Sequence, residues 1–278
     1  MWVGDVKLQR IDTCYMPILS IITINYNNCT GLQKTIDSVV KQTWRDFEWF
    51  LIDGGSTDGS EKIIEQYHDY FAYWCSEADK GVYDAMNKGI RHATGIYCLF
   101  LNSGDWLLNE NVLKDVFSKE HSKDILVGWI ERLKSGKRIL DKGFNTDNIT
   151  IRHLLRNSLP HQATFIKRKL FDEYGLYDDT LKIVADWKFF VQCIILHNAT
   201  IENLCIPVTY YEGGGLSDHA ENGGGIEWRR SLEEMIPQRI IDDFPLVMSL
   251  DDVKSLSLTS NLYRVLYRLT MWLKRRQW

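Results

Sequence analysis

An α/β fold with a mostly parallel, helix-flanked sheet is predicted by three observations. Short apolar runs alternate with helical patterns through roughly the first 120 residues. The runs are rich in β-branched residues and lack polar–apolar alternation, as strands buried on both faces do. Two of them stop at acidic turns, Asp53-Gly54-Gly55-Ser56 and Asn102-Ser103-Gly104-Asp105. The carboxyl ends of strands are where such a sheet holds its ligands.

The elements follow in order. Residues 18–24 form an unbroken β-branched strand. Thr30 with Gln33 has capping-box spacing, and Leu32, Ile36, Val39 and Val40 give the next helix its apolar face. Residues 47–52 are a second strand. Asp58 and Glu61 open a second helix, with Ile63, Ile64 and Tyr67 inward. A third strand at 70–75, a short helix at 83–92 and a fourth strand at 96–101 complete a doubly wound unit with right-handed crossovers. Beyond residue 120 the pattern is less regular. Residues 125–130 and the stretch around Ile139 read as strands joined by a turn at 134–137. Ile151, Leu154 and Leu155 suggest a helix, 163–166 a strand, 186–197 a helix and 201–211 a strand. Glycine triplets at 213–215 and 223–225 bracket a flexible loop.

Composition narrows the partners. A net charge of −4 and a sequence pI near 6.0 exclude a nucleic-acid binder on charge grounds. Ten Trp and thirteen Tyr point to surfaces that stack on flat ligands, or to a core rich in rings. The six cysteines are scattered without a C-x-x-C pair, as in reduced cytosolic chains, and the seven histidines lack zinc spacing. No apolar run reaches the ~20 residues of a membrane span, and the N-terminus lacks a charged-then-apolar leader pattern. Residues 1–16 are aperiodic and are expected to precede the fold. Residues 251–278 form a basic amphipathic helix. Leu262, Val265, Leu266, Leu269, Trp272 and Leu273 make its stripe, opposite Arg264, Arg268 and Arg275. Such a helix packs on a domain or lies in an anionic membrane surface.

Several residue types suit particular chemistry. Asp53 either accepts from a base or ribose or caps its own turn. Asp105 could be a turn residue before Trp106, but the Asn102–Asp105 turn after a buried strand better suits a divalent cation, since carboxylate and carbonyl oxygens are what Mg²⁺ or Mn²⁺ prefers. Asp186 opens a helix, as an N-cap does, or serves as a carboxylate that takes a proton. His161 is a core histidine or faces a ligand. Gly214 and Ser217, in the glycine-rich stretch, are a slack turn or part of a loop that closes over a ligand.

An ordered set of motifs carries a resemblance. Tyr26-Asn27, Asp53 to Ser60, the run Ser76-Glu-Ala-Asp-Lys-Gly-Val-Tyr-Asp-Ala-Met-Asn-Lys-Gly89, Ala93-Thr-Gly95 and Leu101 to Asp105 come first. His161-Gln-Ala-Thr-Phe165, Tyr174-Gly-Leu-Tyr177 and Ala185-Asp186-Trp187 follow. Over roughly residues 17–220 the chain resembles family 2 inverting glycosyltransferases of the GT-A fold, and within them the bacterial branch that builds O-antigen, capsule and colanic-acid-type polysaccharides. The resemblance implies a cytoplasmic hexosyl- or N-acetylhexosaminyltransferase, peripheral on the inner face of the plasma membrane. It implies a nucleotide-sugar donor, a UDP-sugar, and a polyprenyl-diphosphate-linked glycan acceptor, with Mn²⁺ or Mg²⁺ as cofactor. A domain over 17–250 would divide into a nucleotide-sugar half, 17–120, and an acceptor half, 121–250.

Roles follow by position. Thr23, Tyr26 and Asp53 would line the nucleoside pocket. Asp79, Lys80, Asn87 and Asn102 would run beside the donor. Asp105 would hold the metal and Asp186 would be the general base. His161, Gly214 and Ser217 would face the acceptor or the closing loop. Two departures stand out. Gly54 replaces the second of two consecutive acids, and Asn102 and Gly104 stand where relatives often have acids, which leaves Asp105 as the one clear carboxylate ligand. The alternatives are a sugar-nucleotide pyrophosphorylase, whose Arg-containing glycine-rich loop is missing at 25–30, and a non-catalytic glycan-binding or scaffold protein.

Overall fold

The computed structural model describes residues 2–3, 16–134, 136–143, 149–213 and 224–242. The chain forms two compact units, residues 1–228 and 229–278. The first holds one twisted sheet. Its strands are β1 (Trp2–Val3), β2 (Leu19–Asn25), β3 (Phe47–Asp53), β4 (Tyr73–Ser76), β5 (Tyr97–Phe100), β6 (Asp105–Leu107), β7 (Ile125–Lys134), β8 (Lys137–Asp141), β9 (Thr164–Lys167) and β10 (Ile201–Tyr211). Across the sheet they run β1-β4-β3-β2-β5-β9-β7-β10-β6, with β8 paired to β7. Strands β2, β3, β4, β5, β7 and β10 point one way, and the others run against them.

The helices are α1 (Cys29–Val40), α2 (Ser60–Gln66), α3 (Val82–His92), α4 (Val112–Val116), α5 (Ile151–Arg156), α6 (Lys169–Tyr174), α7 (Ala185–Phe190) and α8 (Gly224–Met235). The α7 helix continues as a π-helical stretch, Val191–Leu196. In the second unit the described residues complete α8 and form α9 (Gln238–Ile241). The expected helix over 251–278 and the boundary at 250 lie outside the described residues.

Burial explains why the strands form where they do. Every residue of β2 is buried, and so is the second half of β3. Ile21, Leu51 and Leu99 share one face with Leu32, Ile36 and Trp49; each large side chain removed from water contributes about 1.5–3 kcal/mol. Trp49 satisfies its buried indole N–H by donating to Thr23 Oγ1 at 2.9 Å. Helix α3 lies directly on β2, since a Cβ at Gly89 would sit 2.4 Å from Ile22 Cγ2.

Two details differ from the sequence expectation. The cap of α1 is Asn28, not Thr30: Asn28 Oδ1 accepts from Gly31 N at 3.0 Å, so the helix starts before the expected box. Residues 1–16 contribute one strand, β1, which pairs antiparallel with β4 through Trp2↔Ser76 and Val3↔Cys75; an open sheet edge accepts any short extended segment that reaches it. Among the described residues the cysteines are unpaired, with Cys75, Cys98 and Cys193 buried.

Candidate active site

A cavity of about 1030 Å³ opens at the carboxyl ends of the central strands. Ile24, Asn25 and Tyr26 leave β2, Gly54 leaves β3, residues 78–83 lead from β4 into α3, and Asn102–Asp105 follow β5. The rest of the lining comes from β7, the His161 segment, the start of α7 and the end of β10. This is the crevice in which open α/β sheets hold ligands.

The wall gathers most of the residues expected from sequence. Tyr26, Asp79, Lys80, Asn102, Asp105, His161 and Asp186 all line the cavity. Thr23, Asp53 and Asn87 do not. Thr23 is buried in β2, where its hydroxyl accepts from Trp49 of the neighbouring β3. Asn87 clamps the backbone of Tyr177 from both sides, donating to its carbonyl at 2.8 Å and accepting from its N–H at 3.0 Å. Gly214 and Ser217 lie outside the described residues.

Asp53 corrects the expectation most clearly. Its carboxylate is fully buried and takes hydrogen bonds from Asn25 Nδ2, Gly55 N, Ser56 N, Ser56 Oγ and Ser76 Oγ at 2.6–3.2 Å. The turn reading therefore holds. Asp53 shapes the loop behind the cavity, and its neighbour Gly54 faces the ligand space. A Cβ at Gly54 would lie 2.7 Å from Asp79 Oδ2. Asp79 thus fills the room that a side chain at 54 would need. Burial pushes the Asp79 carboxyl above its ordinary pKa, against the hydrogen bond it accepts from Gly81 N at 2.9 Å.

The Asn102–Asp105 turn is fixed by α1. Thr35 Oγ1 lies 2.7 Å from the Asp105 carbonyl and accepts from Gly104 N at 3.1 Å. Asn28 Nδ2 donates to the Ser103 carbonyl at 2.9 Å. Among the described residues there is no cluster of three His, Cys, Asp or Glu side chains able to hold a metal alone. Asn102 Oδ1, however, is buried without a partner at the cavity wall, beside Asp105. One carboxylate and one orphaned amide oxygen fit a hard cation that takes its remaining oxygens from a diphosphate. Glu212, paired with Lys34, closes the turn from the β10 side.

Asp186 sits in the first turn of α7. Val184 occupies the N-cap position without a side-chain bond, so Asp186 is not the cap. Tyr83 OH lies 2.8 Å from Asp186 Oδ1 and 2.7 Å from the Ile183 carbonyl, two acceptors that share its single proton. Burial, then the Asp186 charge, drives the Tyr83 pKa well above its ordinary value, so the phenol stays a donor. His161 stacks on Phe100 with ring centroids 4.7 Å apart, and its Nε2 is 2.9 Å from Tyr177 OH. Burial lowers the His161 pKa, with the Asp186 charge opposing, so the imidazole is neutral at pH 7.

Sequence reasoning did not single out Tyr83, Arg132, Tyr211 or Glu212. Tyr83, Met86, Asn87 and Ile90 have the i, i+3, i+4, i+7 spacing of a core face, which hides the hydroxyl among apolar neighbours. Arg132 and Tyr211 reach the cavity through the β7–β10 pairing, a long-range register with no local signal.

A helix-flanked α/β sheet with a crevice at its strand ends, lined by an oxygen-rich turn and a carboxylate, has the architecture of a GT-A transferase. The description of Glycosyl transferase family 2 matches residues 20–175, and the chain belongs to that family. It is a glycosyltransferase. A PGL/p-HBAD biosynthesis glycosyltransferase of Mycobacterium bovis is 34% identical over 208 residues, which are 73% of this chain and 80% of the relative. An uncharacterized glycosyltransferase of Mycobacterium tuberculosis is 34% identical over 218 residues, 74% of this chain and 79% of that one. Among solved structures, S. aureus TarS 1-349 in complex with UDP superposes with a TM-score of 0.59 at 22% identity, over 70% of this chain and 60% of that one. The mannosyltransferase PcManGT from Pyrobaculum calidifontis, in complex with GDP-Man and Mn2+, gives 0.54 at 17% identity, over 74% and 60%. This chain thus spans about 60% of those longer chains, and their likeness concerns the GT-A fold.

Proposed function

We propose that the enzyme moves a sugar from a nucleoside-diphosphate sugar to a hydroxyl of a lipid-linked glycan, with inversion at the anomeric carbon. One observation carries this reading: the Asn102–Asp105 turn and Asp186 line a single cavity. Tyr26, two-thirds exposed at the mouth, offers its ring to the base. A Mg²⁺ or Mn²⁺ held by Asp105, with Asn102 Oδ1 beside it, would neutralise charge on the departing diphosphate. Asp186 accepts the proton of the attacking hydroxyl, while Tyr83 holds Oδ1 and leaves Oδ2 without a partner among the described residues. Attack by the hydroxyl at Asp186, on the face opposite the leaving group, inverts the centre.

Supports differ in kind. The M. bovis relative is a PGL/p-HBAD biosynthesis glycosyltransferase, and structures related in fold hold UDP, or GDP-Man with Mn2+. The acceptor is then a lipid-linked glycan of a bacterial surface polymer or glycolipid, met at the cytoplasmic face of the membrane. No helix among the described residues is long and apolar enough to cross a membrane. The basic amphipathic pattern of residues 251–278 supports peripheral contact, with that segment as one anchor.

The test is a panel of UDP-, GDP- and dTDP-sugars with Mn²⁺, reading nucleotide release. One donor class should turn over. Asp105→Ala should abolish release and remove the Mn²⁺-dependent part of nucleotide binding by calorimetry. Asp186→Asn should keep binding and lower turnover on the order of 10²–10⁴-fold. Unchanged Mn²⁺-dependent binding in Asp105→Ala, or near-normal turnover in Asp186→Asn, rejects the corresponding role.

A further inference from the structure

The hairpin of β7 and β8 carries a surface that the transfer reaction does not use. Its register pairs Glu131↔Leu140, Arg132↔Ile139, Leu133↔Arg138 and Lys134↔Lys137. Alternation along each strand therefore puts Leu133, Arg138 and Leu140 on one face of the ribbon, with Glu131 as the acid on that face. Leu133 is 57% exposed and Leu140 41%, and diagonal neighbours across a ribbon lie about 7–8 Å apart. They form one small apolar patch held out to solvent. Cations surround it on rings: the Arg138 guanidinium lies 4.8 Å from the Tyr210 ring centroid and the Lys142 ammonium 4.6 Å from that of Trp129. Tyr210 in turn stacks on Trp106 at 4.3 Å. Between residues 131 and 142 five basic residues, Arg132, Lys134, Lys137, Arg138 and Lys142, face two acids, Glu131 and Asp141, in a chain whose net charge is −4.

From this arrangement we propose that the β7–β8 hairpin is a docking surface for an anionic lipid bilayer. Exposed leucines beside tryptophan and flanking cations are the chemistry of an interface whose inside is apolar and whose headgroups are negative. A second copy of the chain fits the same surface poorly. β8 has no strand on its outer side among the described residues, and pairing two such edges would set lysine and arginine against their like. The opposite face of the ribbon turns Arg132 toward the cavity, and the register Arg132↔Tyr211 and Tyr211↔Asp105 carries that face to the oxygen-rich turn. Docking through the outer face would leave the cavity on the other side of the ribbon, one strand layer from the bilayer in which a lipid-linked acceptor resides. That consequence rests on the acceptor reading above; the docking itself does not.

The experiment is co-sedimentation of the full chain with vesicles of phosphatidylcholine alone and of equimolar phosphatidylcholine and phosphatidylglycerol. Three variants are compared with it: Leu133→Ser with Leu140→Ser, Arg138→Gln with Lys142→Gln, and Lys274→Gln with Arg275→Gln and Arg276→Gln. Thermal melting confirms folding, and analytical ultracentrifugation reports the oligomeric state. The wild type should bind only the anionic vesicles. Both hairpin variants should bind at least about tenfold more weakly, since basic groups near an anionic leaflet act roughly additively. The C-terminal variant separates the anchor at 251–278, and the hairpin loss should persist in its background. Wild-type binding by both hairpin variants overturns the proposal, as does equal binding to neutral vesicles. A change of oligomeric state in the hairpin variants with unaltered sedimentation overturns it in favour of a contact between copies. Donor turnover, read separately, is untouched by any of these outcomes.

Discussion

Asp53 accepts five hydrogen bonds from its own loop and the neighbouring strand ends, whereas Asp186 gives one oxygen to Tyr83 and lines the cavity. The two carboxylates looked alike in the sequence, each at the edge of an element in a ligand-bearing position. Their difference comes from what folds around them: Asn25, Ser56 and Ser76 converge from three strand ends on Asp53, while Val184 takes the cap position that would have occupied Asp186. Tyr83 is the residue whose role follows from this contrast. Tyr83→Phe removes one donor to a charged acceptor, a bond of about 1.5–3 kcal/mol. Turnover should fall at least roughly tenfold with donor affinity unchanged. In an Asp186→Asn background the same substitution should cost far less, and a double-mutant cycle on turnover measures the coupling. Additive losses would show that Tyr83 acts independently of Asp186.

Helix α1 is more than a cover for the sheet. Its cap, Asn28, bonds Gly31 with one atom and the Ser103 carbonyl with another, and Thr35 reaches the Asp105 carbonyl about two turns later. Asp58 adds a link from the start of α2, accepting from Cys29 N at 2.7 Å. The oxygen-rich turn is therefore held by a helix that begins some seventy residues earlier in the chain. Asn28→Ala should lower stability by about 0.5–2 kcal/mol, the range for a lost N-cap. It should also weaken Mn²⁺-dependent nucleotide binding more than its stability cost explains, because the Ser103 carbonyl loses its anchor. Chemical denaturation and calorimetry on the same variant separate the two effects. The helix itself was legible from its apolar spacing. The cap was not, because Thr30 with Gln33 mimics a capping box one position inside the true start.

At the scale of the molecule, the first half of the sheet could be read from sequence because β2, β3, β4 and β5 are neighbours both in the chain and in space. Each βαβ unit leaves its full signature in one stretch. The second half could not. The order β9-β7-β10-β6 interleaves strands from distant stretches in both directions, and β6 is only three residues long. The cavity depends on both halves, so Asp186, His161 and Asp105 were found through motifs, while Arg132 and Tyr211, placed by long-range register, were not. Ligand linkage provides a check on the assembled site. With Mn²⁺ present, UDP at 100 times its Kd should stabilise the fold by about 2.7 kcal/mol. The matching rise in melting temperature should vanish without Mn²⁺ or in Asp105→Ala. A UDP shift independent of both would remove the cation from the binding site.

The position of β6 has a consequence for how the chain assembles. After β5 the polypeptide leaves the centre of the sheet and lays β6 at the far edge, where its strand partner among the described residues is β10. Asp105 pairs with Tyr211, a residue made more than a hundred positions later. During synthesis the donor half can form its parallel strands early, since their contacts are local, but the strand that begins with Asp105 waits for a late, non-local pairing. The first half is then a scaffold that becomes a binding site only when the second is in place. A fragment of residues 1–124 should show α/β circular dichroism yet no Mn²⁺-dependent UDP binding by calorimetry, and adding back residues 125–242 in trans should restore it. Binding by the fragment alone would mean that the turn reaches its working shape without the sheet edge that holds it in the complete chain.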